Sequence, residues 1–194
     1  MAGYAADANR TVAVYLASDA RVPRDSVRNA TVWSTRIFAG IGVRVEFRFS
    51  RPVRRGDRLS LELEASIEIE APEERSFTEV ASSHPFRPDG RIRLYYSRIQ
   101  RLYQLQHTES QQFRDIVLAY VLTHEIAHVL QASDHHSTVG VMKKSWSRAD
   151  FREIQTGNLQ FEPRDIDLIR NGMERRWNTS RHANLLASVS TDRR

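Results

Sequence analysis

Hydrophobic and polar residues alternate along several segments in the first half of the chain, as they do in β-strands with one buried face. The longest such segment covers residues 59–69, where Leu, Ala and Ile point one way and mainly glutamates point the other. Shorter segments of this kind cover residues 11–16, 43–49 and 91–97, and a less regular one covers residues 79–84. The pattern predicts a mixed or mainly antiparallel sheet of four or five strands.

Two longer segments have apolar residues at the three- and four-residue spacing of a helix. The first covers residues 23–40, where Pro23 suits the first helical turn. The second covers residues 109–131, contains neither Pro nor Gly, and can be capped by Thr108 or Ser110. We therefore expect two long helices packed on the sheet, which is an α+β arrangement.

The last third of the chain carries two further helical patterns and then becomes polar. One helix is predicted between Ser147 and Gly157, and another opens at Pro163. A chain of 194 residues is long enough for one substantial core and too short for two ordinary domains. We therefore predict a single domain over residues 1–178, followed by a polar tail over residues 179–194.

The pair of histidines near the end of the second long helix is the clearest chemical signal in the chain. His124 and His128 are four residues apart, so they lie on one face of the helix and can bind one metal ion. Glu125 is then placed to accept a proton from metal-bound water. Two hydrogen-bonded core histidines are the simpler alternative. That alternative does not explain a carboxylate beside them at a part-buried position, because buried charges normally need a partner.

A third ligand is required, because a catalytic zinc usually has three protein ligands and an open position for water. Three candidates lie together just after the helix, namely Asp134, His135 and His136. The chain contains no cysteine, which excludes a thiolate zinc site, a disulfide framework and a cysteine nucleophile. The residues alone leave these three candidates open.

The segment from His124 onward resembles the metzincin zinc peptidases, whose usual pattern is H-E-x-x-H-x-x-G-x-x-H followed by a Met-turn. Gln131 stands at the glycine position of that pattern, and Asp134 stands at the position of the third ligand. The missing glycine indicates a helix that runs slightly further before the chain turns, which moves the ligand towards His136. Residues 140–142, Gly-Val-Met, resemble the Met-turn. The resemblance implies zinc held by three histidines with His136 as the third, and Asp134 and His135 as the alternatives.

A wider resemblance covers residues 10–178, which look like a group of small bacterial predicted zinc peptidases related to metzincins. It implies a metzincin-like zincin fold: a twisted mixed sheet on two long helices, with a C-terminal helix after the Met-turn. It also implies that an edge strand, for which residues 79–84 are our candidate, pairs with extended substrate. Trp146 is placed to line a substrate pocket, and Lys144 occupies the position where several metzincins have a tyrosine. The segments that carry the resemblance are Val22-Pro23, Ile37-Phe38, Gly42-Val43-Arg44-Val45, residues 124–131, His136-Ser137, Gly140-Val141-Met142-Lys143, Trp146 and residues 165–170.

These signals favour a zinc-dependent metalloendopeptidase that acts on a peptide or protein, with Glu125 as the general base. A zinc-binding interaction protein without turnover is the first alternative. A nucleic-acid-binding protein is the second, since the net charge is +5 and all but two of the basic residues are arginine. The arginine-rich stretch in residues 51–58 has no interleaved aromatic residues, so we expect a solvated loop and no nucleic-acid partner.

The location of the protein is less well defined by its sequence. Residues 1–7 lack a charged region followed by an apolar one, so the chain as written carries no export signal. We expect a cytoplasmic protein if the chain is made as written, and an extracytoplasmic one if the chain is the mature or truncated form of an exported protein. No apolar run approaches the length of a membrane span, and a monomer is assumed.

Overall fold

The structure is a computed structural model that describes residues 11–50, 60–70, 79–86, 91–104 and 110–191. The described residues form five strands and five helices. In chain order they are β1 (Thr11–Ser18), α1 (Arg24–Gly40), β2 (Arg44–Arg48), β3 (Ser60–Glu68), β4 (Ala81–Ser83), β5 (Ile92–Tyr95), α2 (Tyr96–Gln104), α3 (Gln111–Gln131), α4 (Arg148–Thr156) and α5 (Pro163–Thr191).

The five strands form one mixed sheet in the order β2-β1-β3-β5-β4. β1 pairs in parallel with β2 and β3, and β3 pairs in parallel with β5. β4 alone among them runs antiparallel, paired with β5 at the edge of the sheet. The α+β class and the mixed sheet of four or five strands are confirmed, and the 79–84 segment contains the edge strand β4.

The sheet buries one face against the helices through the alternation seen in the sequence. Val14 of β1 pairs with Leu63 of β3, and both are essentially inaccessible to solvent. Neighbouring residues of the same strands, such as Glu62 and Glu64, point to the other face. β1 lies inside the sheet between β2 and β3, and its residues 12–16 are all buried. The alternating segments over residues 11–16 and 59–69 were therefore correctly interpreted as strands.

The charges on β2 have different partners from those predicted. Sequence patterning suggested that Arg44 and Arg48 lie opposite the glutamates of the 59–70 strand. In the structure β1 lies between these two strands, so no direct pairing is possible. Both arginines instead contact Glu46 of their own strand, at 3.0 and 3.3 Å. Such partly exposed pairs contribute little to stability, about 0–1 kcal/mol each.

α3 is the central helix of the fold, and 18 of its 21 residues are buried. It packs against α1 and also contacts α2, α4, α5, β4 and β5. Ser110 caps it, accepting a hydrogen bond from the backbone N–H of Phe113 at 3.4 Å. Thr108, the other predicted cap, lies outside the described residues. Because most of α3 is enclosed by other elements, the polar residues in its second half are buried.

The sequence pattern did not predict α2. The alternation of Ile92, Leu94 and Tyr96 predicted a strand over residues 91–97, but β5 ends at Tyr95 and α2 begins at Tyr96. Tyr96 and Ile99 are both buried and lie three residues apart, which is a helical spacing. Tyr96 fits both patterns, because it continues the alternation of the strand and also begins the helical spacing.

The C-terminal helices follow the predicted start and stop signals. Ser147 and Asp150 form a reciprocal capping box at the start of α4, and Gly157 ends it in the left-handed conformation with φ 73°. α5 begins at Pro163 as predicted and continues to Thr191. The boundary at residue 178 between domain and tail therefore falls inside a helix. None of the helices described is both long and apolar enough to pass through a membrane.

Gly172 of α5 provides a test of how closely this helix packs on α3. A Cβ atom added there would overlap the backbone carbonyl of Leu130, whereas one added at Gly40 would meet nothing within 4 Å. We expect Gly172→Ala to lower the free energy of unfolding by about 1–3 kcal/mol, as overpacking does. Gly40→Ala should leave it unchanged or raise it by up to about 1 kcal/mol. Equal denaturation midpoints for the two variants would contradict this packing.

Candidate metal centre

α3 brings His124 and His128 together on one face, one helical turn apart. Their ring centroids are 4.6 Å apart, and the two side chains are 9% and 5% exposed. The rings lie nearly perpendicular to each other, at 81°. This placement follows directly from the four-residue spacing, because residues i and i+4 of a helix are neighbours on its surface.

The chain turns back immediately after α3. Ala132 adopts the left-handed conformation, φ 51° and ψ 48°, and the N–H of Ser133 donates to the carbonyl of His128 at 3.2 Å. A non-glycine residue in this conformation carries steric strain of about 1–2 kcal/mol. The turn occurs one residue after Gln131, which agrees with the later turn that the missing glycine predicted. The following residues then return the chain to the open side of α3.

His136 is the residue that the returning chain places beside the helical pair. Its ring centroid lies 5.3 Å from that of His124 and 4.8 Å from that of His128. Nitrogen atoms of all three rings lie within 4.8 Å of one another, close enough to bind a metal ion. Asp134 and His135, the alternative third ligands, are exposed and contribute no atom to this cluster.

The turn at residues 140–142 closes the loop under the histidines. Gly140 has φ 75°, and a Cβ atom there would overlap the carbonyl of Gln160, so glycine is required on both grounds. The N–H of Ser137 donates to the carbonyl of Met142 at 2.9 Å, which ties the two ends of the loop together. Met142 is fully buried in the hydrophobic core. Its position agrees with a packing role and not with metal coordination.

Hydrogen bonds to backbone carbonyls fix the orientation of both helical histidines. Nδ1 of His124 lies 2.8 Å from the carbonyl oxygen of Val141, and Nδ1 of His128 lies 2.9 Å from that of Ser133. A carbonyl oxygen can only accept, so each Nδ1 carries the proton. Each Nε2 of a neutral ring then has a free lone pair. Backbone partners of this kind commonly orient metal-binding histidines.

The contact between the two rings is therefore not a hydrogen bond when both rings are neutral. Nε2 of His124 lies 3.0 Å from Nε2 of His128. With both Nδ1 atoms protonated, two lone pairs face each other across this gap, which is repulsive. A cation placed between them turns the repulsion into attraction. The arrangement is thus suited to a metal ion shared by the two rings.

Burial keeps these rings neutral at ordinary pH. It lowers the pKa of His124 to about 3, with further lowering by His128, and the pKa of His128 to about 4. The pKa of His136 is also lowered, first by burial and then by the positive charge of Lys144. Neutral imidazole is the form that binds metals. The three side chains are therefore ready to act as ligands near neutral pH.

Glu125 lies next to the histidines, and this residue is only 9% exposed. Burial raises its pKa to about 7, while a hydrogen bond with Ser83 of β4 opposes this shift. A bound cation nearby would lower the pKa again, because opposite charge favours the ionised form. Ser83 was not identified from the sequence. A serine in an edge strand is unremarkable there, and only the fold brings it to α3.

The histidines open into a cleft of about 630 Å³. β4 and the residues before it form one wall, and the chain from Lys143 to Trp146 contributes the other. The indole of Trp146 lies 6.1 Å from the His124 ring, edge to face. Trp146 and Lys144, both singled out in the sequence, therefore line the same cleft as Glu125. This volume is within the usual range for ligand sites.

Comparisons with known proteins give no significant match to this chain, whether with family models, with curated protein sequences or with solved structures. The chemistry of the centre is therefore inferred from its own residues. This inference rests on three features, which are three neutral imidazoles, a buried carboxylate and an open cleft.

The choice of third ligand can be tested by metal binding alone. Removing His136 takes away one of three donors, so His136→Ala should lower metal affinity by more than the roughly 10–100-fold typical of outer-sphere changes. His135→Ala, next to it and exposed, should leave the affinity unchanged. Competition with a chromogenic chelator measures both. If Asp134→Ala removes the metal and His136→Ala does not, the assignment of His136 is wrong.

Proposed function

We propose that this protein is a zinc-dependent metalloendopeptidase. The observation that supports it best is the 3.0 Å contact between Nε2 atoms of His124 and His128 whose Nδ1 atoms are both held by carbonyls. A cation bound between the two Nε2 atoms would remove the repulsion between their lone pairs. Glu125 lies beside this position in the wall of an open cleft, which is where a general base must lie to reach substrate.

Zinc is the metal that the donor set favours. Imidazole ligands also suit copper, iron and nickel. Three protein ligands with a fourth position open to the cleft are typical of catalytic zinc, whereas structural zinc sites are closed by four ligands. The cluster in the described part of the chain consists of three histidines, and His136, the most exposed of them, faces the cleft. The centre therefore matches the catalytic type.

The reaction follows from the residues around the centre. Zinc, when bound, lowers the pKa of water and polarises the carbonyl of the scissile peptide bond. Glu125 accepts the proton of the attacking water and then returns it to the leaving amine. Burial raises the pKa of Glu125 and a bound cation opposes that rise, so the carboxylate is available as a base when the metal is in place.

The negative charge that develops on the carbonyl oxygen needs stabilisation within the cleft. Lys144 lines the cleft, and its charge already acts on His136. The chain has only one other lysine, Lys143, which is held 2.6 Å from Asp150 by an ion pair. We assign Lys144 a share of the oxyanion stabilisation, together with zinc.

Substrate enters along the edge strand. The far edge of β4 has no strand partner among the described residues, and Ala81, Ser82 and Ser83 line the cleft. An extended peptide can add to such an edge through main-chain hydrogen bonds. Those bonds are made by the peptide backbone and do not depend on the side chains. They therefore suit an enzyme that cleaves within a chain. The apolar side of the cleft, near Trp146, is suited to an apolar side chain of the substrate.

The variant Glu125→Gln distinguishes a zinc peptidase from a zinc-binding interaction protein without turnover. The substitution keeps the size of the side chain and removes the base, while all three histidines remain. We expect zinc content and thermal stability to be retained and peptide hydrolysis to fall about a hundredfold to ten-thousandfold, the usual range for general-base assistance. Cleavage of a mixed peptide library, followed by mass spectrometry, provides the measurement.

Two results would reject the enzyme. One is equal cleavage by the wild type and Glu125→Gln. The other is a fully zinc-loaded wild type that cleaves nothing across the library. In the second case the zinc-binding interaction protein becomes the better description. Cleavage that a chelator abolishes and added zinc restores would support the proposal.

The variant Lys144→Met tests whether Lys144 stabilises the oxyanion. We expect kcat to fall by up to about a hundredfold, the lower end of the effect of losing one oxyanion donor, because zinc still carries part of the charge. Lys144→Arg should restore much of the rate, since it keeps the positive charge. Arg148→Met removes an exposed cation that does not line the cleft and serves as the control. If Lys144→Met has the wild-type kcat, Lys144 does not stabilise the oxyanion and zinc alone does so.

A further inference from the structure

Asp165 is a buried acid that the proposed reaction does not use. It lies in the first turn of α5 and is only 1% exposed. Its Oδ1 accepts a hydrogen bond of 2.7 Å from the hydroxyl of Ser137. Its Oδ2 is buried without a hydrogen-bond partner. An ionised carboxylate in such a position is costly unless a positive charge lies nearby.

The fold offers only partial compensation for this charge. Asp165 forms no ion pair with Arg or Lys within the described ranges. Its place in the first turn of α5 lets the helix dipole stabilise it, an effect that is modest and fades beyond that turn. The dipole does not explain why the second oxygen is buried, nor why the first is joined to the loop that carries the histidine.

The hydrogen bond from Ser137 connects Asp165 to the third ligand. Ser137 directly follows His136, and its N–H is held by the carbonyl of Met142 at 2.9 Å. Ser137 is thus fixed through its backbone to the turn and through its side chain to α5. His136 has no helix of its own to orient it, so the position of its ring depends on this neighbour.

The charge of Asp165 also reaches a ligand on α3. The negative charge of Asp165 acts on the ring of His128, one of the two helical ligands. A carboxylate that favours positive charge on one ligand and holds the loop of another would favour a cation bound between them.

We propose that Asp165 is a positioning residue of the metal centre, which orients His136 through Ser137 and supplies buried negative charge that balances the bound cation. The proposal rests on the metal centre described above. It does not require that the protein hydrolyse peptides.

Asp165→Asn tests the charge, because the amide oxygen can still accept the hydroxyl of Ser137. We expect affinity for Zn²⁺ and Co²⁺, measured by chelator competition, to fall about 10–100-fold. The melting temperature of the metal-free protein should not fall, since a buried charge without a partner has been removed. Asp167→Asn, an exposed acid two residues further along α5, should leave both quantities unchanged.

Ser137→Ala tests the orientation separately, because it keeps the charge and removes the hydrogen bond. We expect a smaller loss of affinity than for Asp165→Asn, together with a changed visible absorption spectrum of the Co²⁺ form. A wild-type affinity and spectrum for Ser137→Ala would overturn the positioning role. For Asp165→Asn, either an unchanged affinity or a metal-free protein that melts earlier or fails to fold would show that Asp165 serves only the start of α5.

These results can be separated from those on the proposed function. Both measurements use the metal alone, with no peptide present. A wild-type protein that binds metal and cleaves nothing would reject the peptidase and leave the role of Asp165 standing. A wild-type protein that binds neither metal would overturn both.

Discussion

The two hydrogen bonds from histidine Nδ1 atoms to backbone carbonyls are the interactions on which the rest of the site depends. They join α3 to the loop that leaves it, since one carbonyl belongs to Ser133 and the other to Val141. They also decide which ring nitrogen keeps its proton, and therefore that two lone pairs converge beside the cleft. The same loop, held in this position, returns His136 to the helix. Fold and chemistry thus share one set of contacts.

The burial of α3 explains both why the histidines are neutral and why their arrangement suits a metal ion. The helix lies between other elements over most of its length, so His124, Glu125 and His128 are largely buried and border solvent only where they line the cleft. Burial lowers the pKa values of the histidines and raises that of the glutamate. Both effects favour neutral forms. A neutral histidine is a better metal ligand, and a cation bound nearby would favour the ionised form of Glu125.

Local patterns were sufficient for much of this description. The alternation over residues 59–69 predicted β3, and the four-residue spacing of the histidines predicted that they share a face. The strand neighbours of β2 could not be read in this way, because pairing depends on crossover connections that no local pattern encodes. For the same reason no role was assigned to Ser83 or to Asp165, although residues 165–170 belong to the segments that carry the resemblance. Each becomes relevant only when a distant element packs against α3 or its loop.

Charge balance connects the separate parts of the centre. Three neutral imidazoles bring no charge to a divalent cation, so buried carboxylates nearby would offset part of its charge. The described residues hold two buried carboxylates near the histidines, Glu125 on the cleft side and Asp165 beneath the loop of His136. Without a cation these buried carboxylates lack a full counter-charge, which is unfavourable for the fold. Because a metal ion that binds the folded chain relieves this strain, binding and folding stability should be thermodynamically linked in this protein.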